Sequence, residues 1–600
     1  MSEDPAGRRD SRAAPPPPER PRTRHGRRQP RLLRLLVLLA LVVVIGAGAY
    51  GLLAHQLSPA QQAARRFAMA WASRDWSALY ADVDPATQLR LPLARFAGDY
   101  ARALQTATVT HVTVLPGVRT VGGLEVVRVR IHTRVFGTLV EHFMLPLASS
   151  GSTTRVLWDP WLVFPGMYVS ESLHRVTSVP PRGELLARDG VPLSSLPAAA
   201  NILGSVGAAS GAQLSALVAA GFPADTPVGL DGLEYLFQKQ LAGTPGGELK
   251  AGARVLARAR AKAGEDVATS IDPELQIDAT DEFGDADGGA VVMAARTGEL
   301  LAVAGTPLSQ LQPPGSTFKI VTVTGVLEAG LATPESTYPD ATYALLDGYK
   351  LHNSANEDCG GTLANAFAVS CNSVFAPLGV RLGASRLVAT AQRYGFDSPS
   401  PLAIAAESTI PPASDITNEA TLGSSAIGQY QDLASPLQMT RIAATIALGG
   451  REPIPTFRLG THRAPQRVIP ATIAHTIRQL MLDVVRFGTG TQAQIPGVAV
   501  AGKTGTAQIT VPTCPAGTTG ASGVTGTTPP TGATGPCDDV PNNPYDTDAW
   551  FVAFAPAFDP TVIVGVLLDH DGMGGASAAP IAKVLLEEAL PLLAKTRAPR

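Results

Sequence analysis

The sequence predicts a multidomain α+β protein held to a membrane by a single N-terminal helix. Three observations predict it. Leu35–Ala54 is a run of twenty residues without a charge, long enough to cross a bilayer as a helix. At 600 residues the chain is too long for one core and implies about three or four domains. Beyond the apolar run, a helix start and then a strand-like alternation follow one another, the order of an α+β domain.

Residues 1–34 hold ten arginines, the proline run Pro15 to Pro18 and little that is apolar. Such a composition predicts a disordered cationic tail. Residues 35–54 are the expected transmembrane helix. By the positive-inside rule the arginines stay in the cytoplasm and everything after Ala54 lies outside. The apolar run exceeds the roughly seven to fifteen residues of a signal-peptide core, which favours an uncleaved anchor. No cysteine follows closely, so lipoprotein anchoring is excluded. The formal net charge of −2 argues against a general nucleic-acid binder, and 45% apolar residues suit a globular chain with one membrane segment. Four cysteines define no disulfide scaffold at this length, although an extracytoplasmic chain can pair them.

Ser58-Pro59-Ala60-Gln61 is a helix start, with Ser at the cap, Pro in the first turn and Gln three residues on. Phe67, Ala70 and Trp71 mark the apolar face of that helix. Val127, Val129, Ile131 and Val135 alternate with Arg128, Arg130, His132 and Arg134, which reads as a strand with one wet face. Helices followed by a curved antiparallel sheet predict an α+β domain over residues 58–166.

The stretch that organises the rest is Pro313-Pro314-Gly315-Ser316-Thr317-Phe318-Lys319-Ile320. The apolar run Val321 to Leu327 follows and stops at Gly330, which reads as a buried helix with breakers at both ends. Ser316 then sits in the first turn and Lys319 on the same face one turn later. A serine hydroxyl becomes a nucleophile when a base takes its proton, and a lysine can be that base if burial or a nearby cation lowers its pKa. Taken alone, Ser-x-x-Lys reads better as a helix cap and a solvated lysine. Two further motifs reverse that balance: Ser370-Cys371-Asn372 and Lys503-Thr504-Gly505-Thr506.

Ser-x-x-Lys, Ser-x-Asn and Lys-Thr-Gly in this order form the pattern of penicillin-recognising serine acyl transferases. From about residue 60 to the C-terminus the chain closely resembles the class B penicillin-binding proteins, D,D-transpeptidases of bacterial cell-wall synthesis. Residues 58–166 look like the NTF2-like domain of the methicillin-resistance type, read as a spacer. Pro181-Arg182-Gly183-Glu184, Arg188-Asp189-Gly190, Gly229 to Glu234 and Leu241 to Gly246 resemble the boxes of the family's dimerisation domain, over 167–265, with Ala187 in place of the usual Asp. Ser270 to Gln276 resembles the start of the transpeptidase domain, 266–600. Gly289–Met293 and Gly298–Ala304 read as two strands. Ser425 to Gln429 and Ser435 to Met439 match a family segment packing beneath the site, Ala549 to Pro556 matches the strand after Lys-Thr-Gly, and Ile581 to Leu590 reads as the final helix. The resemblance implies a five-stranded antiparallel sheet flanked by helices, with a helical subdomain beside it.

It also implies the chemistry. Ser316 is the nucleophile on a stem peptide ending in D-Ala-D-Ala. Lys319 is its base, with a pKa lowered by burial and by Lys503. Ser370 passes a proton to the leaving amine, Asn372 positions Lys319 and the substrate amide, and Lys503 supplies positive charge. Thr504 and Thr506, on either side of Gly505, bind the substrate carboxylate. The oxyanion hole is the N–H of Ser316 and of Thr506. No metal or organic cofactor is needed. Implied partners are stem peptides, β-lactams, the membrane and glycosyltransferase or cell-wall synthesis proteins. A D,D-carboxypeptidase or a β-lactam-binding relative shares the motifs, and the domain order favours the transpeptidase.

Two competing readings concern Lys503 and Ser316. Gly497 to Thr504 fits the P-loop expression, but its middle residues Val-Ala-Val-Ala are strand-like and no helix start follows. No Gly-x-Ser-x-Gly elbow surrounds Ser316, which argues against a Ser-His-Asp hydrolase. A non-catalytic scaffold would be expected to lack one of the three motifs. In an oxidising compartment Cys359 and Cys371 are candidates for a disulfide. Residues 510–548 read as a disordered Gly/Thr/Pro-rich insertion. Cys514 and Cys537 bracket its core, and a disulfide there is favoured over two free thiols.

Overall fold

The computed structural model describes residues 57–508, apart from 462, and 547–595. The tail, the apolar run 35–54, most of the insertion and Cys514–Cys537 lie outside these residues. Among the described residues no helix is long and apolar enough to cross a membrane. The chain divides into two compact units. One comprises the described residues up to Tyr100, Val112–Arg130 and Val140–Val169, and the other takes the rest.

The first unit opens as the sequence predicts. Ser58 caps the helix Pro59–Ser73 in a full capping box with Gln61. Phe67 and Trp71 are buried on its apolar face and meet Phe143 edge-on, with ring centroids 5.8 and 5.0 Å away. In the alternating segment, the strand Leu124–Thr133 buries Val127, Val129 and Ile131 and exposes Arg128 and Arg130. It ends at Thr133, before Val135. The hydroxyl of Thr133 accepts from the N–H of Phe136 and donates to the Gly137 carbonyl, which closes a turn there.

In the second unit the Pro181-Arg182-Gly183 and Gly229–Glu234 boxes meet. The guanidinium of Arg182 pairs with Glu234 and donates to Gln238 Oε1 at 2.7 Å. Leu185–Leu186 runs parallel with Val267–Ala268, and Ala187 is buried. Asp272 then caps α1 (Pro273–Phe283), its side chain accepting from Leu275 N–H.

The sheet comprises β1 (Gly288–Ala294), β2 (Leu300–Gly305), β3 (Ala501–Gln508), β4 (Thr547–Ala555) and β5 (Val562–Leu568). Its order is β2-β1-β5-β4-β3, antiparallel throughout. Every residue of β1, β4 and β5 is buried, because both faces are covered. Successive side chains alternate between two cores. Trp550, Val552 and Phe554 point to the core shared with α5 (Pro436–Ala447), while Ala549, Phe551 and Ala553 point to the core shared with α1 and α6 (Ala578–Lys595). Helix α6 runs through Pro591, past the stop expected at Leu590. The hydrogen bond lost to proline is tolerated where Leu590 and Leu593 pack against the sheet core.

A sheet edge exposes unpaired backbone groups. On β2, the buried Gln276 of α1 donates to Val303 C=O at 2.7 Å and accepts from Val303 N–H at 2.9 Å. Gln276→Ala leaves both groups buried without a partner. It is expected to cost about 2 kcal/mol in denaturant unfolding, with β3, at the opposite edge of the sheet, undisturbed. Wild-type stability in this variant would contradict the reading.

Candidate active site

Gly315–Phe318 forms a 3₁₀ turn that runs into α2 (Lys319–Glu328), so Ser316 lies just ahead of the helix rather than in its first α-turn. Ser316 is half-buried and Lys319 fully buried. The turn packs on β3 at Gly505, where a Cβ would come within 2.9 Å of Pro314 O and 3.0 Å of Thr317 Cγ2. A side chain there would push the Ser316 turn off the sheet, which accounts for glycine in the third motif.

The second motif reaches the same point from the other side. Ser370 takes φ +64°, an uncommon left-handed conformation for a non-glycine residue, and turns the chain into α3 (Asn372–Leu382). A disulfide joins Cys371, between Ser370 and Asn372, to Cys359 on the strand Cys359–Thr362, with Cα atoms 5.9 Å apart. Asn353 braces the next residue, donating to Ser373 Oγ at 3.1 Å and accepting from Ser373 N–H at 2.8 Å. Nothing in the local sequence around Asn353 signals this.

Four predicted residues converge. Lys319 Nζ lies 2.7 Å from Ser370 O, 2.7 Å from Asn372 Oδ1 and 3.2 Å from Ser370 Oγ. Lys503 Nζ lies 2.9 Å from Ser370 Oγ and donates to Thr504 O at 2.9 Å. The Ser370 hydroxyl therefore bridges the two amines. Asn372 Nδ2 donates to His352 O at 2.8 Å, which fixes its oxygen towards Lys319. Phe375 and Phe367 present rings 5.5 and 5.6 Å from Lys319 Nζ and Lys503 Nζ.

Neither lysine meets a carboxylate among the described residues, and both are fully buried. Burial without a counter-charge disfavours the ammonium. It pushes Lys503 down to about 7, and burial together with the charge of Lys503 holds Lys319 well below its ordinary value. A neutral Lys319 suits its partners. Two N–H bonds go to the acceptor-only oxygens of Ser370 C=O and Asn372, leaving one lone pair for a hydroxyl proton.

The third motif is placed less uniformly. Lys503 enters the cluster. Thr504 is buried and its hydroxyl pairs with that of Thr489 at 2.5 Å, a partner the sequence did not flag. Thr506 is half-buried. In an antiparallel strand the N–H and C=O of one residue point the same way. Thr506 O accepts from Gln429 on the open side of β3, so Thr506 N–H faces that open edge too. The P-loop expression fails here: Lys503 and Thr504 lie inside β3, and Ala501–Gln508 is strand throughout.

Residues 288–587, half of the chain, match the family model of the penicillin binding protein transpeptidase domain. The chain is 31% identical over 396 residues to the peptidoglycan D,D-transpeptidase PbpA of Mycolicibacterium smegmatis, covering 54% of this chain and 73% of that one. The chain belongs to the class B penicillin-binding proteins. As a penicillin-binding protein it is also 24% identical over 490 residues to the peptidoglycan D,D-transpeptidase MrdA of Acinetobacter baumannii, covering 71% and 67% of the two chains. A D,D-transpeptidase domain of a peptidoglycan glycosyltransferase from Eggerthella lenta shares 26% identity, with TM-score 0.53 over 69% of this chain and 99% of that one. Pseudomonas aeruginosa PBP2 shares the fold, with TM-score 0.57 and 23% identity over 70% of this chain and 97% of that one.

Proposed function

We propose that this chain is a serine-type peptidoglycan D,D-transpeptidase that cross-links stem peptides through an acyl-enzyme on Ser316 and is acylated there by penicillin. The observation that carries the reading is the chain of contacts from Lys319 through Ser370 Oγ to Lys503, one turn from Ser316.

Neutral Lys319 takes the Ser316 proton as Oγ attacks the penultimate carbonyl. The C–N bond to the terminal D-Ala breaks, and the leaving amine takes its proton from Ser370, which is resupplied by Lys319, returning Lys319 to its neutral form. An amine of a second stem peptide then attacks the ester, gives up a proton to Lys319 and restores Ser316. Asn372 holds Lys319 and the substrate amide. Lys503, Thr504 and Thr506 receive the substrate carboxylate, with Gly505 letting the strand approach. The Ser316 and Thr506 N–H groups stabilise the oxyanion, each worth about 10²–10³ in rate.

Residues 35–54 anchor the chain as a single-pass protein of the cell membrane, with 1–34 inside and the catalytic unit outside. In this reading 58–166 is an NTF2-like spacer, 167–265 the dimerisation-type domain, 266–600 the transpeptidase domain and 510–548 an insertion in it. Cell-wall synthesis proteins are its partners, a proposal supported by a Helicobacter pylori PBP2–MreC complex of the same fold, TM-score 0.58.

The test is to supply purified protein with a D-Ala-D-Ala stem peptide and an amine acceptor. Release of D-Ala with formation of the cross-linked product supports the reading. D-Ala release by hydrolysis alone would make it a carboxypeptidase, and no release would overturn both.

A pH profile follows from the two lysines. Acylation by penicillin rises with pH as Lys319 loses its proton. It falls again as pH passes about 7 and Lys503 loses the charge that receives the penicillin carboxylate. A rate that kept rising well above pH 7 would show that Lys503 acts uncharged.

A further inference from the structure

The open edge of β3 is held by a side chain that the proposed mechanism does not use. Gln429 Nε2 donates to Thr506 O at 3.0 Å, and Gln429 Oε1 accepts from Gln508 N–H at 3.1 Å. Its amide occupies the place that one peptide of a neighbouring strand would take. One residue earlier, Gly428 O accepts from Gly315 N–H at 2.9 Å. Gly315 directly precedes Ser316. Two successive residues therefore grip the serine turn and the Lys-Thr-Gly strand, one on each side.

The grip is close on both sides. Gly428 has φ +74°, and a Cβ there would meet Gly315 O at 2.3 Å. Gly315 in turn stands so near β3 that its own Cβ would lie 2.8 Å from Thr506 O. The bridging loop is itself anchored. Gly428 N–H donates to Ser425 O and Gln429 N–H to Ser424 O, both at 2.9 Å, at the end of α4 (Glu419–Ala426). Buried Asp432 accepts from Ser425 Oγ at 2.8 Å.

We infer that Gln429 is a positioning residue for the oxyanion hole, setting the separation of the Ser316 and Thr506 N–H groups through its hold on the Thr506 peptide edge. The inference rests on the acyl-enzyme reading above. A donor must lie within about 2.7–3.1 Å of the position the oxyanion takes, so a small shift of β3 against the serine turn weakens the transition state while leaving the initial complex nearly unchanged. The same amide ends the edge open to a substrate strand: Gln508 N–H is occupied, while among the described residues none takes the Thr506 N–H.

The test compares Gln429→Ala and Gln429→Glu with the wild-type protein. Glu keeps the acceptor for Gln508 N–H and loses the donor to Thr506 O. Three readings are taken: the limiting acylation rate with penicillin, the dissociation constant of the complex before acylation, and the affinity for a boronic acid, whose tetrahedral adduct places an oxygen in the hole. For Gln429→Ala the inference expects an acylation rate about tenfold to a hundredfold lower and boronate affinity lower by a similar factor. The pre-acylation constant stays within about twofold and the melting temperature is retained. Gln429→Glu falls on the same line. Wild-type rate and boronate affinity in Gln429→Ala overturn the inference, as does a parallel loss of rate, pre-acylation binding and melting temperature, which marks a merely structural role. Failure of the wild-type protein to acylate at all would instead strike the acyl-enzyme reading.

Discussion

Lys319→Met is expected to leave the protein folded and to slow acylation by penicillin by about a hundredfold or more, the scale of a lost general base. Methionine has nearly the length of lysine and fits a fully buried site better than any charged replacement. It cannot take the Ser316 proton, and it leaves Ser370 O and Asn372 Oδ1 without the amine that meets both at 2.7 Å. Stability therefore has opposing contributions: two lost hydrogen bonds against one buried amine no longer desolvated. Lys319→Arg is the companion variant, since arginine keeps a charge and does not lose it. If either folded variant, checked by its melting transition, acylated at near wild-type rate, the base would lie elsewhere.

Ser370→Ala has the second large effect. Its Oγ meets both Lys319 Nζ, at 3.2 Å, and Lys503 Nζ, at 2.9 Å. Without it no hydroxyl links the two amines, and the leaving amine has no donor. Acylation is expected to fall by about a hundredfold. The main chain is held independently by the disulfide at Cys371 and by the bond from Lys319 to Ser370 O, so the fold should persist. Single-turnover acylation checks this, with near-UV circular dichroism as the control for the fold. An unchanged rate would remove Ser370 from the proton path.

Much of this was legible in the sequence because it is carried by local rules. The helix start at Ser58 and the hairpin strands on either side of Arg296–Gly298 follow from a cap and apolar runs, and the strand at Trp550 from the family resemblance. The three motifs named every member of the lysine–serine–asparagine cluster. Boundaries were less legible where tertiary packing overrides local preference. The helix that continues through Pro591 and the strand that stops before Val135 are the two cases.

The residues that hold the site were the least legible. Gln429, Thr489 and Asn353 act through pairings with chain 77, 15 and 20 residues away. No spacing rule marks a single amide or hydroxyl that meets its partner so far along the chain. Ser425 to Gln429 was expected to pack beneath the site. It does pack against α2, with Thr322 Oγ1 donating to Ala426 O, and its last two residues also clamp the serine turn to the edge of β3.

The central claim is that Ser316 carries the acyl group. Folded protein is treated with penicillin, and the adduct is located by peptide mapping, with Ser316→Ala as control. The account predicts one penicilloyl group per chain on the peptide containing Ser316, and none in the variant. A stable adduct on another serine, or the same adduct in Ser316→Ala, would contradict it.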